Sequence, residues 1–118
     1  MLIPGVLKKE SEWKSWRREA EDYLEESALG MKVELELVRK MAEPVESSSV
    51  NDGWWELRAS LYRFLRTYTT DALKRLVETV PDDNGWEAWR RLHLQCEPMT
   101  GAEVGTVMSD FTMQDVIA

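Results

Sequence analysis

The sequence predicts an all-α protein, a compact bundle of five to six short helices, and three features lead to that expectation. Apolar residues recur at intervals of three and four along most of the chain, which is the period of an amphipathic helix. The alternation typical of β-strands is nearly absent. Glycine, proline and acidic turn signals separate the periodic stretches. Because 118 residues suit one domain, residues 1–118 are expected to form a single helical domain.

The first predicted helix follows residues 1–10, which are expected to form an N-terminal arm. Ser11 is a residue type that favours the N-cap position of a helix. The apolar stripe that follows consists of Trp13, Trp16, Ala20, Tyr23 and Leu24. Gly30 comes next, and glycine tolerates the left-handed conformation that often ends a helix. We therefore predict a first helix that begins after Ser11 and ends before Gly30.

The second predicted helix covers the stretch MKVELELVRKMA, and Pro44 is expected to end it. Its inner face holds Met31, Leu35, Val38 and either Met41 or Ala42. Residues 43–53, which follow, are rich in Ser, Asp and Gly. We predict a flexible loop there.

Asp52 is the predicted N-cap of a third helix, which runs from Trp54 towards Tyr68. Its inward side chains are Leu57, Leu61, Phe64 or Leu65, and Tyr68. The β-branched stretch TYTT weakens the helical pattern, and Thr70 is the predicted N-cap of a fourth helix. The apolar side of that helix consists of Leu73, Leu76, Val77 and Val80.

The stretch PDDNG is the strongest turn signal in the chain. The helix WEAWRRLHLQC follows it, with Gly85 expected to allow a tight entry and Pro98 expected to close it. Trp86, Trp89, Leu92 or His93, and Cys96 recur there at helical spacing. In the tail, helical spacing also relates Val104, Val107, Met108 and Phe111. The two glycines of the tail make it a poor helix in isolation.

Charge and cysteine content restrict the function and the location. The net charge of −7 argues against a protein that follows nucleic-acid phosphates, since such proteins usually carry a basic face. Cys96 is the single cysteine, so no disulfide forms within the chain, and a cytoplasmic or nuclear location is expected. No apolar run approaches the ~18 residues of a membrane span, and no signal-peptide pattern opens the chain, so no membrane partner is expected.

The residue set argues against an enzyme and against a bound cofactor or metal. His93 and Cys96 lie three apart on one predicted helix, but a nucleophile pair also needs an orienting group and an oxyanion site. Structural zinc needs four Cys or His ligands, and the chain holds only these two. Glu19, Asp22 and Glu26 could share one face and bind a divalent ion, but a solvated acidic face is the favoured interpretation.

The tryptophans and arginines supply the candidate structural and interface residues. Packing is the default role of the tryptophans on helical stripes, so the predicted core anchors are Trp13, Trp16, Trp86, Trp89 and Leu92. Trp54 and Trp55 are adjacent and point ~100° apart on a helix, so one of them is expected at the edge of the core. The candidate interface residues are Trp54, Trp55, Arg63 and Arg66, with the acidic face of the first helix as a candidate surface for these arginines on a second copy.

The order of these elements resembles the capsid region of the Gag polyprotein of copia-type LTR retrotransposons. A helix with the pattern WxxW comes first, ALKRLVETVP and NGWEAWRRL follow, and EPMTGAEVGTVMSDF comes last. The family's run has Gly, Glu, Ala, Trp and Leu at fixed spacing, followed shortly by an aromatic, an acidic residue and Pro. The matching positions here are Gly85, Glu87, Ala88, Trp89, Leu92, Glu97 and Pro98, whereas Cys96 stands where the family has an aromatic.

The resemblance implies a fold like the N-terminal lobe of a capsid protein, and self-association into a shell around the element's RNA. The family's downstream capsid helices, zinc knuckle, protease and polymerase regions are missing from the sequence. The chain is therefore expected to be a capsid lobe, a truncated piece or a domesticated derivative, with RNA contacted only through the missing region. The alternative function is a helical adaptor that binds another protein or a peptide in a groove lined by Trp, Met and Leu.

Overall fold

The computed structural model describes residues 4–97, and six α-helices form this part of the chain. The helices are α1 (Trp13–Ser27), α2 (Met31–Arg39), α3 (Asp52–Glu56), α4 (Arg58–Thr67), α5 (Asp71–Glu78) and α6 (Gly85–Cys96). One 3₁₀ turn precedes α1 at Glu10–Glu12 and another precedes α6 at Pro81–Asp83. The prediction of an all-α bundle is confirmed. The residues predicted to close or follow the last helix, Pro98, Val104, Val107, Met108 and Phe111, lie outside the described part.

Helix α6 lies at the centre of the bundle and packs against α2, α4 and α5. Every residue from 84 to 90 is buried, as expected for a helix that has neighbours on several sides. Gly85 is expected from the sequence to allow a tight entry into the helix, but the structure gives it a different role, which is to allow close packing against α4. Among the described glycines only Gly30 has a left-handed φ, of 95°, whereas Gly85 is required because the backbone of α4 lies directly against it.

The inner faces of the helices are as predicted, except that Met41 and Ala42, one of which was assigned to the inner face of the second helix, lie beyond the end of α2, with Met41 half-buried and Ala42 exposed. The apolar positions assigned to the core are buried in each of the longer helices, namely Ala20, Leu24, Met31, Leu35, Val38, Leu61, Leu65, Leu73 and Val77, and Val80 is buried just after α5. Tyr23, Phe64, Tyr68 and Leu76 are half-buried and pack against them. The 3.6-residue period therefore identified the core without any knowledge of how the helices are arranged.

Two helix starts differ from the prediction. Ser11 lies inside the 3₁₀ turn, and Glu12 occupies the N-cap position of α1 without a capping side-chain bond. Asn51, rather than Asp52, caps α3, because its side-chain oxygen accepts a hydrogen bond from the backbone N–H of Trp54 at 3.1 Å. Asn and Asp are both good N-cap residues, so the sequence pattern does not separate neighbours of these types.

The third predicted helix is divided in two. Leu57 separates α3 from α4, with a ψ of 0° that departs from helical geometry. Thr70 does occupy the N-cap position of α5, as predicted, but its side chain makes no capping bond. Helix α2 ends at Arg39, well before Pro44, so the proline is not what ends it.

Two of the described segments outside the helices, the N-terminal arm and the chain between α2 and α3, are attached to the bundle. Leu7 in the predicted N-terminal arm is fully buried, and its backbone N–H donates to the carbonyl of Tyr68 at 2.8 Å. Trp16 Nε1 donates to the carbonyl of Gly5 at 2.6 Å. In the predicted loop of residues 43–53, Val45 and Val50 are buried. The mobility of that loop stays a prediction, but the core holds it at these two valines.

Candidate interaction surfaces

The five predicted core anchors, Trp13, Trp16, Trp86, Trp89 and Leu92, are all buried. The ring centroid of Trp13 lies 5.8 Å from that of Trp16 and 5.2 Å from that of Trp89. Trp89 Nε1 also donates a hydrogen bond to the carbonyl of Leu35 at 3.2 Å. These indoles join α6 to α1 and α2, and each aromatic pair contributes ~0.5–1.5 kcal/mol beyond its buried area.

A buried polar cluster connects α6 to the chain that follows α2. Glu87 accepts hydrogen bonds from the backbone N–H of Val45 at 2.8 Å and from Arg90 Nη1 at 3.0 Å. Asn84 donates from Nδ2 to the carbonyl of Val45 at 2.9 Å, while its Oδ1 caps α6 by accepting from the N–H of Glu87. Arg90 Nε donates to the carbonyl of Met41 at 3.0 Å. This cluster holds the loop in place, so its role is structural.

A second cluster of charged groups lies where α1, α2 and α6 meet. Arg17 Nη1 lies 3.2 Å from Glu21 Oε2, and Arg17 Nε lies 3.5 Å from Glu97 Oε2. His93 Nδ1 is 3.3 Å from the same oxygen of Glu97. Arg39 Nε is 4.0 Å from Glu21 Oε2. The arginines are balanced by the glutamates, and the cluster connects three helices of the bundle.

His93 and Cys96 do not form an activated pair. Burial raises the pKa of the Cys96 thiol to about 12, so the thiol stays protonated at neutral pH. Burial lowers the pKa of His93, Glu97 opposes this shift, and Arg39 and Arg17 add to it. The His93 Nδ1 atom faces Glu97 Oε2. Because the thiolate is the nucleophilic form of cysteine, the raised pKa makes the Cys96 thiol less nucleophilic at neutral pH.

The described residues offer neither a metal site nor a membrane span. Within residues 4–97, no group of three or more His, Cys, Asp or Glu side chains is arranged to hold a metal ion. No helix in that range has the length and apolar character needed to cross a bilayer.

Trp54 and Trp55 are both half-buried and pack against the core. Both of them, rather than one, therefore lie at the edge of the core. The Trp54 ring meets Trp86 edge-on at a centroid distance of 6.2 Å, and its backbone carbonyl accepts a bond from Trp86 Nε1 at 2.7 Å. The guanidinium carbon of Arg58 lies 4.8 Å from the centroid of the Trp55 ring. Only the outer parts of these two rings can contribute to an interface.

The outer surface of α4 carries a basic patch, which we define as Arg63 and Arg66. Both side chains are exposed, and neither forms an ion pair with a carboxylate within residues 4–97. Arg63 Nη2 donates to Ser60 Oγ at 3.4 Å, and the Arg66 guanidinium lies 5.8 Å from the Tyr62 ring centroid. Helix α4 contains no acidic residue. Within residues 4–97, the patch is therefore a positive surface without a carboxylate ion pair, on a chain whose net charge is −7.

The acidic face of α1 is partly used within the fold. Glu19 and Glu26 are exposed, whereas Asp22 is half-buried. The Asp22 carboxylate forms a 2.8 Å ion pair with Lys32 Nζ of α2. Glu19 and Glu26 are two helical turns apart and lie on the same side of α1, so they define the outward acidic surface.

Glu25, in the same acidic run, caps the start of α2. Its carboxylate accepts hydrogen bonds from the backbone N–H groups of Gly30 at 2.9 Å and Lys32 at 2.8 Å. These bonds lower the pKa of Glu25 because they favour the ionised carboxylate. Gly30 has no side chain with which to cap the helix itself, so a residue from α1 takes that role.

An apolar surface on α2 was missed by the sequence analysis. We call it the outer stripe and define it as Val33 and Leu37, which are 65% and 59% exposed. Their four-residue interval puts them on one side of the helix, opposite the buried Met31 and Leu35. The same spacing was visible in the sequence, but the prediction used it only to assign the inner face.

Among the grooves formed by residues 4–97, two are apolar and lie between helices. One, of about 210 Å³, lies between α1, α2 and α4 and is lined by Leu24, Ser27, Ala28, Met31, Leu57, Ser60 and Leu61. Another, of about 300 Å³, lies beside α5 and is lined by residues that include Leu73, Leu76, Arg75 and Gln95. Met31 lines the first groove but is itself buried, so this groove does not present the exposed methionine that the adaptor alternative expects.

No known protein family, no curated protein and no solved structure matches this chain.

Proposed function

We propose that this protein is a structural domain that self-associates, in the manner of the capsid region of copia-type Gag polyproteins, and that its copies form a particle shell around retroelement RNA. The observation that supports this most is the basic patch on α4. Arg63 and Arg66 are exposed and lack carboxylate partners within residues 4–97, although acidic residues outnumber basic ones in the chain by 22 to 15.

A second copy of the chain can supply the missing negative charge. Glu19 and Glu26 lie on the exposed side of α1, which is a different surface from the outer side of α4. A contact between two different surfaces is heterologous, and such contacts generate closed rings or open filaments. Charge complementarity steers the encounter and fixes the orientation of the copies.

The other candidate interface residues, Trp54 and Trp55, lie on α3. The outer parts of their rings add apolar area to the proposed interface, as aromatic anchors do in protein interfaces. RNA, in this proposal, is contacted outside residues 1–118, because the negative net charge of this chain opposes phosphate binding. The domain acts in the cytoplasm or nucleus, without catalysis and without a cofactor.

Size-exclusion chromatography with light scattering tests the proposal, run over a wide range of protein and salt concentrations, with electron microscopy of any large fraction. We expect the mass to rise with protein concentration and to fall with added salt, because salt screens contacts between exposed charges. A strict monomer at every protein and salt concentration would contradict the proposed self-association.

A helical adaptor is the second candidate, and the groove between α1, α2 and α4 favours it. Its lining is apolar, with Leu24, Met31 and Leu61 at its base, and an amphipathic peptide helix could lay its apolar side there. Isothermal titration with a panel of amphipathic helical peptides tests this function. The adaptor function would be favoured if the monomeric chain binds a peptide saturably and the Leu57→Glu variant does not.

A further inference from the structure

The Glu97 carboxylate, at the end of α6, lies between two basic side chains that belong to different helices. Its Oε2 atom is 3.5 Å from Arg17 Nε of α1 and 3.3 Å from Nδ1 of His93, which lies one turn earlier in α6. The three side chains are largely shielded from solvent, with 11% of Arg17, 13% of His93 and 18% of Glu97 exposed. A single carboxylate oxygen therefore takes part in a contact between helices and in a contact within one helix.

The three atoms of this contact are not fixed by hydrogen bonds. Within residues 4–97, Arg17 Nε, His93 Nδ1 and Glu97 Oε2 have no partner at well-aligned hydrogen-bond geometry. A buried polar atom without such a bond costs free energy. Because charge and proximity alone hold Glu97, a small rotation of its side chain can favour either neighbour.

The charge of His93 distinguishes the two contacts. A neutral imidazole offers Glu97 no opposite charge, so the carboxylate pairs with the Arg17 guanidinium. A protonated imidazole carries a hydrogen and a positive charge at Nδ1, so it donates to Glu97 and repels Arg17. We infer that His93 is a proton-operated switch, which transfers Glu97 from Arg17 to His93 as the pH falls and thereby releases the end of α6 from α1.

The charged groups around His93 are balanced only while the imidazole is neutral. Those that act on it are Glu97, Arg17 of α1 and Arg39 of α2. Glu21 of α1 lies 3.2 Å from Arg17 Nη1 and 4.0 Å from Arg39 Nε, so it compensates the two arginines. Two glutamates thus balance two arginines, and protonation of His93 adds a third positive charge next to Glu97. Histidine is the side chain that ordinarily changes charge between pH 5 and 8, and His93 is the only histidine in the chain.

Acid, rather than alkali, releases the contact. Burial lowers the pKa of His93 below its ordinary 6.5, Glu97 opposes this shift, and Arg39 and Arg17 add to it. The folded chain therefore holds this proton less tightly than the unfolded chain does. The stability that neutral His93 permits is complete above pH 6.5 and is lost as the pH falls towards the folded-state pKa.

An NMR titration of the imidazole tests whether His93 changes charge in this environment, and a single histidine makes its signals unambiguous. We expect a midpoint below pH 6.5, and Arg39→Gln should raise it because a nearby positive charge is removed. Lys74→Gln, which neutralises an exposed lysine of α5, is the control and should leave the midpoint unchanged. The inference would be overturned by an imidazole that stays neutral down to about pH 4.5, where carboxylates begin to gain protons, or by a midpoint that Arg39→Gln does not raise.

A double-mutant cycle measures the release itself. Arg17→Met and Glu97→Gln, made singly and together, give the factor by which the pair raises the equilibrium constant for folding. We expect about threefold or more at about one pH unit above the measured midpoint, and close to no effect at about one unit below it.

The same cycle in a His93→Gln background is the matched control, because the factor should then be equal at the two pH values. A factor that does not change with pH in the intact chain, or that falls equally without His93, would overturn the switch. Measured in dilute protein, the cycle reports on a contact within one chain, so its result does not depend on the proposed self-association.

Discussion

Gly85 of α6 lies directly against the backbone of Tyr62 in α4. A Cβ atom added at Gly85 would lie 2.4 Å from the Tyr62 amide nitrogen and 2.6 Å from the carbonyl oxygen of Arg58. Backbone atoms cannot rotate out of the way as the end of a side chain can. This contact therefore sets how closely the central helix approaches α4, and with it the position of the basic patch on the outer side of α4.

Gly85→Ala is accordingly expected to destabilise the fold by about 3 kcal/mol, because one of the two helices must move to admit the methyl group. Chemical denaturation followed by circular dichroism measures this change. Gly53→Ala is the control, since the nearest atom to its added Cβ is Asn51 Oδ1 at an ordinary 3.7 Å. Equal stability of Gly85→Ala and the wild type would show that the helices do not touch here.

Glu87→Gln is expected to cost about 3–5 kcal/mol, because it removes the negative charge that pairs with Arg90 and Arg91. The side chain of Arg90 is buried with it, so the positive charge cannot simply turn to water. The same denaturation experiment measures the loss. Glu78→Gln, at an exposed position of α5, should change stability little, and a similar small change for Glu87→Gln would contradict the role assigned to this cluster.

Trp89→Ala is expected to lower the free energy of unfolding by about 3–5 kcal/mol, the usual range for a buried aromatic. The substitution removes the ring contact with Trp13 and the hydrogen bond to the Leu35 carbonyl. Thermal unfolding provides the measurement, and a melt close to that of the wild type would refute Trp89 as a core anchor.

Glu25 should make stability depend on pH. Because the bonds from the Gly30 and Lys32 amides lower its pKa below the ordinary 4.5, folding favours the ionised form. Its contribution is therefore present above pH 4.5 and is lost as the pH falls through the folded-state value. We expect the difference in Tm between wild type and Glu25→Gln to shrink with acidification. Glu19→Gln, which caps nothing, serves as the control, and a Tm difference independent of pH would rule out the cap.

Local sequence patterns predicted the features that depend on neighbours along the helix. The spacing of Leu61 and Leu65, or of Leu73 and Val77, specifies the inner face of each helix whatever it packs against. The N-cap of α3 was misplaced by one residue because Asn51 and Asp52 have similar capping tendencies. The break at Leu57 has no proline or glycine beside it to mark it.

Contacts between distant parts of the chain were not predictable in this way. By its sequence, Glu87 belongs to a charged helix surface, yet it is buried and accepts a hydrogen bond from the Val45 amide, 42 residues earlier. The acidic run of α1 likewise suggested one solvated face, whereas Glu25 caps the next helix. Only the three-dimensional arrangement shows which charges are used inside the fold and which, such as Arg63, remain at the surface.

The most direct test of the account mixes two charge-reversed variants, Arg63→Glu/Arg66→Glu and Glu19→Lys/Glu26→Lys, in analytical ultracentrifugation at low salt. Each variant alone should lose the contact between the basic patch and the acidic face of α1, because like charges then oppose each other. Mixing them should restore association, since the reversed patch of one variant complements the reversed face of the other. Restored complexes in the mixture would support head-to-tail self-association. The account would be contradicted if either variant alone associates as the wild type does, or if the mixture of the two variants stays dissociated.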